Sequence, residues 1–433
     1  MKLEDIGFYT LSDERARTAT ASTQIKRLEI LITDRCNFKC PYCRGVKPDL
    51  RGEVNYLSFV GMMDAIGSVP KNIRFSGGEP TLNQELLHMV KLSAERGTER
   101  IAISTNGSAP LGTYLKLIDS GANDFSISLD ACCQAGFSKM SGGSSEWDRV
   151  KENIKQLSLR TYVTVGIVLD EGNKKEAEKI VSYADGLGVA DIRIIPAAQS
   201  GSSLDRFSLD NYTKPILRYR INNAKSNVPV RGLSENDFHR CPLVMDDVAI
   251  AREKHFPCII YLREGGSPIG VVSKNMRKER ERWFMETDVF HDRICRGNCL
   301  DVCRDYNNKW MEFSMRDIPI EKMPIDYFSF SRWRNGSENI KSLVGSWRFS
   351  SIVSSAKKIR EIAVGWIDAK ELSCRPKNEN VALMFRIDDE LGWIHLKANE
   401  LWEIYRDQIT IARSSKSKRP SSMTGRRRGW SKS

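Results

Sequence analysis

The chain has 433 residues, a formal net charge of +12 and an isoelectric point near 9.1. No apolar run is long enough to span a bilayer, and the opening MKLEDIGFYT has no signal-peptide pattern, so the expectation is a soluble cytoplasmic protein with no membrane role. Eleven cysteines in such a chain point to metal-binding or catalytic thiols rather than a disulfide framework.

The positive charge makes polyanions candidate partners. Much of it is local, because Ser414–Ser433 holds seven Lys or Arg and no acid. The remainder of the chain is only mildly basic.

Residues 1–25 are polar and mixed in charge, as expected of a lead-in arm or a short capping element. From Arg27 a strand–helix rhythm begins. Strand-like runs are Leu28–Thr33, Ile73–Gly77, Ile101–Thr105, Asp124–Leu129, Thr164–Leu169 and Ile192–Ala197. Helical spacing falls between them, as in Asn83–Arg96 and Trp147–Leu159. Six β-α units with β-branched strands predict an α/β fold, a parallel sheet curling into a partial (β/α)6 barrel. In such barrels chemistry sits at the C-terminal ends of the strands.

The first strand runs into Cys36, Cys40 and Cys43, spaced C-x3-C-x2-C. Three thiolates leave a four-iron cluster one ligand short, so one iron stays open to a group other than protein. The competing reading is part of a zinc site, which needs a fourth Cys or His nearby; none occurs between Cys43 and His88. The second strand ends in Ser76–Thr81, SGGEPT. Gly77 and Gly78 let the backbone approach a ligand, and Glu79 can accept a hydrogen bond from an ammonium group. Taken alone, this segment is a turn.

The cysteine spacing, with Asn37 after the first cysteine and Tyr42 before the third, followed by the Gly-Gly-Glu-Pro segment, resembles the radical S-adenosylmethionine (radical SAM) superfamily. The resemblance covers about Leu28 to Ser200. It implies a [4Fe-4S] cluster on Cys36, Cys40 and Cys43 whose open iron is chelated by SAM. Reductive cleavage of SAM then yields a 5′-deoxyadenosyl radical, with flavodoxin or ferredoxin as electron donor. Glu79 and the Gly77–Gly78 backbone would position the methionine end of SAM, and Tyr42 would lie near the adenine. Asn106, in Ser104–Gly107, and Ser128, in Ser126–Asp130, match segments that reach SAM or substrate. For Asn106 and Asp130 a helix N-cap or turn role is the alternative. Val165–Ile167 and Ile194–Pro196 resemble segments beside the adenine, but ordinary barrel packing would give the same residues.

Past Ser200 the rhythm changes. A helical stretch near Ser208–Ser226 leads to Cys241 and Cys258, then to Cys295, Cys299 and Cys303. Steps of four predict that the last three thiols share one helix face. With Cys241 they form a candidate auxiliary metal site, a second iron–sulfur cluster or a zinc. By position this region resembles the SPASM and twitch extensions of radical SAM enzymes, though it lacks their usual cysteine spacing. Cys258 lies in PCIIYL, read as an apolar strand, and is either ligand or core. Cys132, Cys133 and Cys374 read as small buried hydrophobes.

From about Met311 tryptophans replace cysteines: Trp333, Trp347, Trp366, Trp393 and Trp402. They read mainly as core or interface anchors. VALMFRID and GWIHLKA read as strands and ANELWEIYR as a short helix. The tail is too polar to fold alone, and either attracts phosphates or serves as a disordered tether. The expected organisation is an arm (1–25), the barrel (26–205), a cysteine-rich region (206–310), a small α+β region (311–413) and a disordered basic tail (414–433). The leading expectation is a radical SAM enzyme acting on a base in DNA or RNA. A peptide maturase and a non-catalytic metal-binding nucleic-acid scaffold are the alternatives, and no catalytic side chain is assigned.

Overall fold

In the computed structural model the described residues are 13–19, 23–198, 212–235, 237–316, 331–333, 380–387 and 390–397. They divide into two compact units, 1–314 and 315–433.

The first unit is built on a nine-stranded sheet. Its strands are β1 (Arg27–Thr33), β2 (Asn72–Gly77), β3 (Arg100–Thr105), β4 (Asp124–Ser128), β5 (Tyr162–Leu169), β6 (Asp191–Pro196), β7 (Asp247–Ala251), β8 (Lys254–Phe256) and β9 (Gly270–Val271). The spatial order is β6-β5-β4-β3-β2-β1-β7-β8-β9. The first six run parallel in chain order, with helices between them, as the strand rhythm predicts. The sequence reading did not find β7. It pairs parallel with β1 on the edge away from β2, from Arg27 opposite Asp247 to Leu31 opposite Ala251.

Side chains alternate along each strand. Leu28, Ile30 and Ile32 of β1, Ile73 and Phe75 of β2, Ile101 and Ile103 of β3, and Ile192 and Ile194 of β6 join the main apolar core. The intervening positions of β1, β2 and β6 carry Arg27, Glu29, Arg74 and Arg193, which line a cavity. Parallel strands covered on both faces are usually apolar throughout. This barrel instead has a charged interior. Arg27 pairs with Glu29 at 2.8 Å and Asp247 at 2.7 Å, Ser76 donates to Glu29 at 3.1 Å, and Arg74 donates to Ser104 at 3.1 Å.

Several local expectations are corrected. The helix read from Asn83 begins at Leu86, because the Asn83 amide donates to the Ile32 and Val54 carbonyls and its oxygen accepts from Glu85 N–H. The helix near Ser208–Ser226 is seen as Pro215–Lys225, while residues 199–211 lie outside the described set. PCIIYL is not a strand: Cys258 caps a helix over Ile259–Arg263, its sulfur accepting from Tyr261 N–H at 3.4 Å. Nor do Cys295, Cys299 and Cys303 share a helix. One helix, Arg293–Asn298, ends at Cys299, whose ψ of 131° is extended, and Asp301–Arg316 begins another. The break coincides with the bridge between Leu300 and Arg231.

At the N-terminal end, the helix Asp13–Thr18 is fastened by Arg15, which pairs with buried Asp246 at 2.5 Å. In the second unit β10 (Ser331–Trp333), β11 (Asn380–Ile387) and β12 (Glu390–Lys397) form an antiparallel sheet, matching the two strands read there. ANELWEIYR, Cys374, Trp347, Trp366, Trp402 and the basic tail lie outside the described residues. No helix among the described residues is long and apolar enough to cross a membrane.

Candidate functional site

The Cys36–Cys43 loop leaves the C-terminal end of β1 and is fixed from three sides. Lys39 N–H donates to Ser141 O at 2.9 Å, Gly78 N–H to Thr33 O at 2.7 Å, and Glu79 N–H to Arg35 O at 2.7 Å. The paired glycines serve this packing. Gly77 has φ +139°, and a Cβ on either glycine would sit 2.2 Å from a backbone oxygen, that of Thr33 or Arg35. Their first partner is thus the cysteine loop itself.

Cys36 and Cys43 are exposed and Cys40 half-buried. Burial pushes the Cys40 thiol up to about 12, helped by Asp130, Cys43 and Cys36; burial, Glu79 and Cys43 raise Cys36. Three thiols in one short loop form a donor set that a cationic iron cluster would satisfy. The residues present therefore fit the cluster implied by the resemblance.

Glu79 is fully buried. One oxygen accepts from Thr81 N–H at 3.1 Å, Thr81 Oγ1 at 2.6 Å and Thr105 Oγ1 at 2.7 Å; the other accepts from Asn106 N–H at 2.7 Å. Burial raises its pKa, against the pull of these donors. The carboxylate ties the end of β2 to the end of β3. Asn106 in turn donates to Asn37 Oδ1 at 2.8 Å and approaches Cys36 Sγ at 4.0 Å. Ser128 is exposed at the end of β4. Asp130 does more than shape a turn: it accepts from the Tyr42 hydroxyl and from Val168 N–H at 2.6 Å, anchoring the cysteine loop to the far strands. Burial pushes its carboxyl up to about 7.

Cys241, Cys258, Cys295, Cys299 and Cys303 lie on separate turns and helices yet come within electrostatic reach of one another. Burial pushes Cys241 to about 12, with Cys303 adding to the rise. Burial, Cys303 and Cys241 raise Cys258; burial, Cys258 and Cys241 raise Cys295. A hydrogen bond donated by the Cys299 thiol to Cys303, burial and the charges of Cys303, Cys241 and Cys295 raise Cys299. Asn307 donates to Cys241 Sγ at 3.6 Å. Asp292 accepts from Cys295 N–H at 2.8 Å and from the Tyr261 hydroxyl at 3.0 Å, joining three parts of the region. Among the described residues no three His, Cys, Asp or Glu side chains are grouped to hold a single metal ion. The donor chemistry of the five thiols suits an iron–sulfur cluster.

A cavity of about 360 Å³ joins the two cysteine groups, lined by Tyr42, Cys43 and Gly77 and also by Cys258 and Cys303. Its size lies within the range of small-molecule sites. The sequence reading missed Arg263, whose guanidinium donates to Gly77 O at 2.7 Å and Gly45 O at 3.1 Å, linking the second region to both loops of the first. It also missed the charged lining, although Arg or Glu at alternate strand positions in RLEIL, NIRFS and DIRII was the available signal.

The parallel strands of a partial barrel thus carry an open-ended cysteine triad at the mouth. Residues 30–184 match the family model of the radical SAM superfamily. Among curated relatives, the chain is 25% identical over 196 residues to a probable GTP 3′,8-cyclase of Metallosphaera sedula, covering 42% of this chain and 59% of that protein. It is 31% identical over 180 residues to the Saccharolobus solfataricus protein of the same name, covering 40% and 56%. The chain thus spans under three-fifths of the length of these relatives. Among solved structures, anSMEcpe with bound AdoMet aligns at a TM-score of 0.46 and 15% identity, over 67% of this chain and 94% of that one. Streptococcus suis SuiB bound to S-adenosylmethionine aligns at 0.43 and 14%, over 61% and 66%.

Proposed function

We propose that the chain is a radical SAM enzyme that modifies a base, carried by a nucleotide or presented from a nucleic-acid strand. The observation that carries this reading is the single cavity reached by both cysteine groups. When bound, the cluster and SAM would supply a 5′-deoxyadenosyl radical able to abstract a hydrogen atom, given one electron from a donor such as flavodoxin or ferredoxin.

The chain's own residues bind and orient. Cys36, Cys40 and Cys43 hold the first cluster. Glu79 keeps the ends of β2 and β3 in register, where the Gly77–Gly78 backbone and Asn106 would hold the methionine end of SAM. Tyr42, braced by Asp130, would stand beside the adenine. Barrel walls around the cavity keep water from the reacting atoms. Cys241, Cys258, Cys295, Cys299 and Cys303 supply the ligands of a second cluster. The base reading is supported by the charged cavity and by relatives whose name specifies GTP.

The test is anaerobic. Reconstituted full-length protein is given SAM and dithionite, with each nucleoside triphosphate or a single-stranded oligonucleotide added in turn, and 5′-deoxyadenosine is measured. Release stimulated by at least one base-bearing compound, and lost in Cys36→Ala, is expected. No stimulation by any of them would overturn the base reading.

A further inference from the structure

Seven arginines line the cavity, against the carboxylates of Glu29 and Asp247. Four have acidic partners. Arg27 is paired with Glu29 and Asp247, Arg44 with Glu264, Arg74 with Asp124 at 3.9 Å, and Arg220 with Asp301 at 2.5 Å. Arg193, Arg231 and Arg263 have no carboxylate at ion-pair distance among the described residues and donate to neutral oxygens. Arg193 donates to Ser126 Oγ at 3.4 Å, Arg231 Nε to Pro196 O at 3.2 Å, and Arg263 to Gly77 and Gly45. Arg231 Nη1 is buried without a hydrogen-bond partner among the described residues.

A half-buried guanidinium with donors to spare is costly unless an anion meets it. These cations also crowd one another. Arg44 is pushed down to about 10 by burial and by Arg231 and Arg263, and Arg193 to about 10 by burial, Arg74 and Arg220. Seven arginines against two lining carboxylates leave the cavity with an excess of positive charge, even with Glu29 drawing on both Arg193 and Arg263.

We infer that Arg193, Arg231 and Arg263 form an anion clamp that holds a phosphate group of the substrate inside the barrel. The inference rests on the base reading above and deepens it: the substrate carries its base next to a phosphate. A planar guanidinium fork matches phosphate oxygens two at a time, which fixes orientation as well as affinity. Arg263 ties the clamp to the Gly77 loop, so the held phosphate sets the distance between substrate and the SAM end of the cavity. Arg193 on β6 and Arg231 before the helix break reach the same space from the far strand and from the cysteine-rich region.

The test uses inorganic pyrophosphate and full-length protein, and needs no loaded cluster. Calorimetry is expected to show saturable binding, falling at least about tenfold in Arg193→Gln and in Arg231→Gln, each of which removes charge-assisted hydrogen bonds. Hydrogen exchange on the unaltered protein gives a second readout that no folding defect can confuse. Pyrophosphate should slow exchange around Arg193, Arg231 and Arg263. No saturable binding, binding in both variants as tight as in the unaltered protein, or slowing confined to 414–433 would each overturn the clamp. The two proposals fail separately. Pyrophosphate bound at these arginines with no base-stimulated 5′-deoxyadenosine leaves the clamp and removes the base; the reverse result leaves the base and removes the clamp.

Discussion

His255 shows how a single side chain is set by its surroundings. It is fully buried, with Arg280 donating to its Nδ1 at 3.2 Å, so the ring proton sits on Nε2 and is given to Glu279 at 2.9 Å. Burial and the Arg280 charge push its pKa down to about 4. The unfolded chain therefore binds a proton below about 6.5 that the fold refuses until about pH 4. The His255 contribution to folding stability should be full above pH 6.5 and drop by about 3 kcal/mol between those values. Urea midpoints at pH 7 and pH 4.5 check this, with a smaller drop expected in His255→Gln. Neither His255 nor Arg280 drew notice in the sequence, because a lone histidine in EKHFP gives no hint that an arginine 25 residues later will fill the space beside it. Asp130 was legible as a candidate, but its link to Tyr42 spans 88 residues and only the folded chain shows it.

At the scale of elements, the junction between the Ser76–Thr81 turn and the cysteine loop is the tightest constraint. Gly78→Ala would place a methyl group 2.2 Å from Arg35 O, where rigid backbone must move, and overpacking of this kind costs about 1–3 kcal/mol. The displaced loop carries Cys36. Iron and sulfide assays on Gly78→Ala should show reduced loading, while Gly112→Ala, where nothing lies within 4 Å, should load normally. Equal loading in both would show that the contact relaxes freely. The six barrel strands were legible because their apolar runs are long and β-branched. β7 was not, since DVAIA is five residues long and sits in a region dominated by its cysteines. The four-residue steps from Cys295 to Cys303 suggested one helix, but local spacing cannot reveal that a distant bridge to Arg231 interrupts it.

For the molecule as a whole, the two cysteine groups open on a shared cavity, so the metal content of each can be tested against the other. The Cys36→Ala, Cys40→Ala, Cys43→Ala triple variant should keep about four irons per chain on the second group. Removing Cys258 and Cys303 as well should take them away. Zinc or no metal on the triple variant would refute a second cluster.

The seam between β1 and β7 also has a consequence for the order of synthesis. Arg27 lies 220 residues before Asp247, its partner across that seam. A chain emerging N-terminus first has β2 in place once residue 77 is out, but β1 keeps a bare edge until residue 251 follows. At about 5–20 residues per second, that interval lasts on the order of ten to thirty seconds. During it the first cysteine loop stands on a half-made barrel whose β1 edge has yet to meet β7.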